Sequence, residues 1–215
     1  MSMTIHHDLS AALGPVRNQG QRPTCVAFAM SDLSRYYAKS EILSAEYLYQ
    51  SAAQNTPGWT STSGTNIAQA VAVTAAPGLP HEAFFPYQPT QPIPPIPALP
   101  VPTPPDALHS TTFANGIIAG AAYVKTRLAA GHPVGLVIKL TLDFHRPTEG
   151  MVAYTTKVIP NQRHAVVATG YGTHDESAED YIRIRNSWGT GWGDQGHAWL
   201  HVKYIENHTV TAFRI

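Results

Sequence analysis

The chain is poor in the residues that usually cross-link, charge or anchor a protein. It holds a single cysteine, Cys25, among 215 residues. No disulfide can close within it, which suits a reducing compartment or a fold large enough to need no covalent staple. Charged side chains make up only 13%, against about 25% in ordinary globular chains. The 14 basic and 14 acidic residues cancel to a formal net charge of zero. A nucleic-acid binder carries a basic excess, so that class is excluded. No uninterrupted apolar run approaches the ~20 residues of a membrane helix, so no membrane partner is expected. Met1 to Leu13 has neither the basic nor the apolar stretch of a signal peptide. With the lone cysteine, this predicts a cytoplasmic protein, export by a signal-independent route being the alternative. What the chain does have is 43% hydrophobic residues, enough for a core, and 18 prolines.

Patterning divides the chain in two. Over residues 25–40, Val26, Ala29, Met30, Leu33, Tyr36 and Tyr37 make a helical stripe, with Thr24 as its expected N-cap. Ser44 announces a short helix, and residues 65–75 a third, stopped by Pro77 and Gly78. Residues 86–105 hold ten prolines and no charge. That composition suits neither a helix interior nor a central strand, so an extended surface connector is expected, with a partner-docking segment as the alternative. Another helix is expected over 117–130, closed by Gly131. Five runs rich in Val, Ile, Tyr and Trp then predict strands at 133–140, 150–155, 165–171, 181–185 and 198–202. Helices first and antiparallel strands later argue for an α+β domain with a helical lobe over 10–108 and a β-rich lobe over 109–215. His6 and His7 are expected to be terminal and mobile. His197 and His201 share one strand face, but no carboxylate cluster completes a metal site, so none is expected.

Three segments carry chemistry. The first is Asn18-Gln19-Gly20-Gln21-Arg22-Pro23-Thr24-Cys25-Val26-Ala27-Phe28-Ala29. The second is Arg163-His164-Ala165-Val166, and the third Arg185-Asn186-Ser187-Trp188-Gly189-Thr190-Gly191-Trp192-Gly193. Singly each has a bland reading: Cys25 as a small buried hydrophobe, His164 as a strand histidine, Gln19 and Asn186 as turn residues. In this order they resemble the papain-like cysteine peptidases, as do Phe84-Phe85-Pro86-Tyr87 and the strand beginning near Gly196. The resemblance implies a two-lobe fold, a helical lobe and an antiparallel β-barrel-like lobe with the active-site cleft between. It also implies a peptide or protein substrate and no cofactor.

An ordinary thiol, with a pKa near ~8.5, is a poor nucleophile until it loses its proton. A helix beginning at Cys25 places a positive dipole end at the sulfur. On the resemblance, His164 takes the thiol proton and Asn186 orients the ring. Trp188 shields that bond, and Gln19 joins the Cys25 N–H in binding the oxyanion. Gly64, Trp188 and Arg163 are the expected substrate-side residues. The departures are also specific. Secreted members carry Cys-Gly-Ser-Cys-Trp where this chain has Arg22-Pro23-Thr24-Cys25-Val26. Arg163, where papain has Asp, is expected to point away from Cys25, its charge disfavouring the imidazolium. Only 24 residues precede Cys25, so the sequence is either the mature part of a longer protein or one without an inhibitory pro-segment. In the second case restraint is expected from narrow specificity, a protein inhibitor or another regulatory partner, or export. Two alternatives stand beside hydrolysis: transfer of the acyl group to an amine, and a silent peptidase fold used as a binding module.

Overall fold

The computed structural model describes residues 2–103 and 108–215. The chain divides into two units, one of residues 19–115 with residue 215, the other of residues 1–18 and 116–214. This differs from the expected lobes at both ends. The first eighteen residues go with the strands, and residues 109–115 with the helices.

In the helical unit, α1 spans Cys25–Ala38. Every residue from Val26 to Ser34 is buried, so this helix forms the unit's centre rather than lining one face. It ends where Lys39 turns left-handed (φ 50°) and sends its N–H back to Arg35. Thr24 holds the N-cap position as expected, but its side chain makes no capping hydrogen bond. The Thr24 hydroxyl lies 3.0 Å from the Tyr87 hydroxyl instead. Helix α2 (Ala45–Gln54) starts as expected, the Ser44 side chain accepting from Tyr47 N at 2.9 Å. Helix α3 (Ile67–Ala75) is capped by Asn66, whose side chain accepts from Gln69 N, so it starts two residues later than expected. The proline-rich segment carries neither helix nor strand over 88–103, and its last two residues lie outside the described ones.

The strand unit begins with β1 (Met3–Asp8) and a short 3-10 turn at Ser10–Leu13. It resumes with the end of β2 (Ala114–Ile117), then α4 (Ala121–Ala129), β3 (Val134–Lys139) and α5 (Leu142–His145). After β4 (Met151–Val152) come β5 (Arg163–His174), β6 (Asp180–Arg185), β7 (His197–His201), α6 (Val202–His208) and β8 (Thr209–Arg214). The sheet runs β2-β8-β3-β5-β6-β7-β4 with β1 paired to β5, so it is open rather than closed. The pairs β1–β5, β3–β5, β3–β8, β5–β6 and β6–β7 are antiparallel, and β4–β7 is parallel.

His6 and His7 are therefore in a paired strand, not a mobile terminus. Gly170 and Gly172 of β5 explain why β1 fits there. A methyl group on Gly170 would stand 2.5 Å from the His7 carbonyl oxygen, and one on Gly172 2.7 Å from that of Thr4. The core packs Leu136, Ile138, Val166, Ile182, Ile184 and Leu200 from the strands against Val124, Leu128, Tyr204 and Ile205 of α4 and α6. The helix expected from residue 117 starts four residues later: Ile117 ends strand β2, and residues 118–120 carry neither helix nor strand. No helix among the described residues is long and apolar enough to cross a membrane.

Candidate active site

In the strand unit, sheet pairing brings two of the expected residues side by side. His164 is the second residue of β5, opposite Ile138 of β3. Asn186 follows the last residue of β6, whose Arg185 pairs with Val167. The result is a 2.6 Å hydrogen bond between His164 Nε2 and Asn186 Oδ1. The amide orientation is fixed by a second bond, since the same oxygen accepts from Ser187 N at 2.8 Å and an amide nitrogen cannot. His164 therefore carries its proton on Nε2 when neutral, leaving Nδ1 as the basic nitrogen. Both residues are almost wholly covered, at 4% and 2% exposure.

Aromatic rings enclose the imidazole. Trp188 lies 4.6 Å from it by ring centroids, tilted 36°, and Phe144 meets it edge-on at 5.8 Å. Trp192 fastens this roof by donating its indole N–H to Phe144 O at 2.9 Å. His145 stacks on Trp188, 5.3 Å away by ring centroids and nearly parallel. Burial pushes the His164 pKa down to about 4; the Asn186 bond pulls it up, and His145 adds to the fall. Arg163 is exposed and sits at the alternating position of β5, away from His164. Among charged neighbours it is thus His145, not Arg163, that adds to the fall in the His164 pKa. No sequence pattern singled out His145 or Phe144, because α5 is one turn long.

The helical unit holds Cys25, Gln19 and Gly64. Cys25 is the first residue of α1, its side chain partly exposed. Gln19 is 6% exposed and donates through Nε2 to Arg22 O at 2.7 Å. Tyr87 donates its hydroxyl to Gln19 O, also at 2.7 Å. Gly64 lies against the same loop, where an added methyl would make ordinary contact with Pro23 O at 3.6 Å. His201, the metal alternative, is engaged otherwise. Its Nδ1 accepts from Lys203 N and its Nε2 lies 3.4 Å from Glu179. Among the described residues no group of three or more His, Cys, Asp or Glu is arranged to hold a metal.

Comparison with known proteins gives this arrangement its class. The sequence profile of the papain family cysteine proteases matches residues 6–212. The chain belongs to the papain family. A cathepsin L-like peptidase of Aedes aegypti is 41% identical over 86 residues, 40% of this chain and 25% of that protein. A cathepsin L-like proteinase of Fasciola hepatica is 34% identical over 74 residues, 34% of this chain and 22% of that one. The chain thus matches about a quarter of the length of these curated relatives. Among solved structures, xylellain, a cysteine protease from Xylella fastidiosa, superposes with a TM-score of 0.75 at 21% identity, covering 99% of this chain and 91% of that one. The bromelain protease of Ananas comosus, solved with the inhibitor E64, gives 0.70 at 19% identity, covering 94% and 93%. The fold is papain-like, α+β, with an open sheet.

Proposed function

We propose that the protein hydrolyses peptide bonds with Cys25 as nucleophile. The observation that carries this reading is the buried His164–Asn186 bond, which leaves His164 Nδ1 as a base. In this reading Nδ1 takes the Cys25 thiol proton and the sulfur attacks the substrate carbonyl carbon. The carbonyl oxygen becomes an oxyanion, held by the Gln19 side chain and the Cys25 N–H. Collapse expels the amine, which leaves with the proton from His164, and a thioester remains on Cys25. Water then gives its proton to His164, attacks the thioester and releases the carboxylic acid. Asn186 transfers no proton; it fixes the ring and its tautomer. Trp188 and Phe144 keep water from the orienting bond, and Gly64 and Arg163 belong to the substrate side.

The test has two arms. An epoxysuccinyl probe should add one equivalent of mass to the wild type and none to Cys25→Ala. A proteome-derived peptide library should yield new carboxyl termini with the wild type alone. A folded wild type that is neither labelled nor able to cleave any peptide would overturn the reading.

A further inference from the structure

Arg22 stands where secreted members of the family carry a cysteine, and its surroundings are built for it. It is 4% exposed, and its partner Glu46, on α2, is not exposed at all. The guanidinium grips that carboxylate with both ends, Nη1 to Oε2 at 2.5 Å and Nη2 to Oε1 at 3.0 Å. Its Nε donates to Gln91 Oε1 at 2.9 Å, and Nη1 also donates to Gln88 O. Tyr49 and Tyr87 flank the cation at 5.1 and 4.8 Å. Glu46 is completed by Gln50 Nε2 at 2.6 Å and Gln88 N at 3.2 Å. A planar, delocalised cation is needed for this double grip between two rings; an ammonium offers neither the fork nor the stacking face.

The main chain of the same residue holds a different set of groups. Arg22 O accepts from Gln19 Nε2 at 2.7 Å and from Thr24 N at 2.9 Å. One carbonyl therefore sets both the side chain of Gln19 and the peptide leading to the Cys25 N–H. Tyr87 closes the loop from outside, bonded to Gln19 O and to the Thr24 hydroxyl. Fixing the Arg22 head fixes its carbonyl, and the carbonyl fixes the two groups assigned to the oxyanion.

We propose that Arg22 is a positioning residue for the proposed hydrolysis: its ion pair with Glu46, held between Tyr49 and Tyr87, orients the Gln19 amide and the Cys25 N–H through the Arg22 carbonyl. The inference rests on the peptidase reading above. It predicts a defect in the chemical step and not in substrate binding, because oxyanion donors act on charge that develops only in the transition state.

Removing Arg22 alone strands a buried carboxylate and endangers the fold, so the decisive variant replaces both partners by apolar residues of similar size. In the full chain, Arg22→Met/Glu46→Leu should keep the wild-type melting temperature to within a few degrees. Its kcat on a peptide cleaved by the wild type should fall at least about tenfold, with KM unchanged, as for a group acting only in the transition state. Arg22→Lys, which keeps the charge but not the fork, should fall between. In a Gln19→Ala background the double change should cost less, because the part of its effect that runs through Gln19 is already lost and only the Cys25 N–H remains to be misplaced. A folded double variant with wild-type kcat, or a full additional loss in the Gln19→Ala background, overturns the proposal alone. A wild type that is neither labelled nor active overturns the peptidase reading and this inference with it.

Discussion

His164 offers the sharpest quantitative test, and the perturbation that exposes it is Cys25→Ala. Without a sulfur anion to attract the proton, the imidazole should titrate at about 4, against 6.5 for an unperturbed histidine. At 1.36 kcal/mol per pH unit, that difference is worth ~3 kcal/mol of folding stability. Its sign follows from proton counting. Above pH 6.5 the ring is neutral in both the folded and the unfolded chain, and the full contribution is present. Between 6.5 and about 4 the unfolded chain binds a proton that the folded protein refuses, so stability falls as pH falls. Below about 4 both states are protonated and the slope ends. Urea unfolding of Cys25→Ala and of Cys25→Ala/His164→Gln from pH 8 to 3.5 isolates this one ring, since all other titrating groups cancel in the difference. The wild type should show a shallower loss than Cys25→Ala, because a thiolate favours the imidazolium. An NMR titration placing His164 near 6.5 in Cys25→Ala refutes the burial argument. Identical pH slopes in wild type and Cys25→Ala would sever Cys25 from His164.

Other changes have defined outcomes. Gln19→Ala should lower kcat by ~10²–10³, by analogy with the loss of one oxyanion donor, with KM held; steady-state kinetics on a cleaved peptide decides. Asn186→Ala should cost kcat less than Cys25→Ala does, because the residue orients and transfers nothing; equal loss in a folded variant would contradict that role. Gly135→Ala places a methyl 2.0 Å from the Phe213 ring and should destabilise by ~1–3 kcal/mol through overpacking, read as a lower urea midpoint. Dithiothreitol should leave the melting temperature unchanged while protecting activity against oxidation of Cys25.

The sequence was most legible where a local pattern and its tertiary use agree. The α1 stripe and the Ser44 cap are local signals that packing had no reason to override. The runs at 165–171 and 181–185 read as strands because β5 and β6 are buried and rich in Val and Ile, and their pairing is what delivers His164 to Asn186. Other features have their cause far away in the chain. Strand β1 is polar and exposed along most of its length, so alternation does not announce it; the glycines that admit it lie on β5. The strand at 114–117 went unread, with only its last residue falling inside the predicted helix, because four residues carry too little period to announce themselves. Arg22 read as a departure from a motif, and only Glu46, 24 positions later, gives it meaning.

The order of the two units along the chain bears on how the protein emerges from the ribosome. The helical unit is almost one uninterrupted stretch, residues 19–115, and all its strongest clamps lie inside it. Strand β1 precedes that stretch, yet Met3 pairs with His174. At a synthesis rate of about 5–20 residues per second, β1 must wait roughly ten seconds or more for its partner strand to be made. For much of that interval the residues that fasten the Cys25 loop are already synthesised, whereas His164 has not been translated. The half that holds the sulfur is thus synthesised well before the half that holds the base, and a nascent chain carries a thiol without the histidine proposed to activate it.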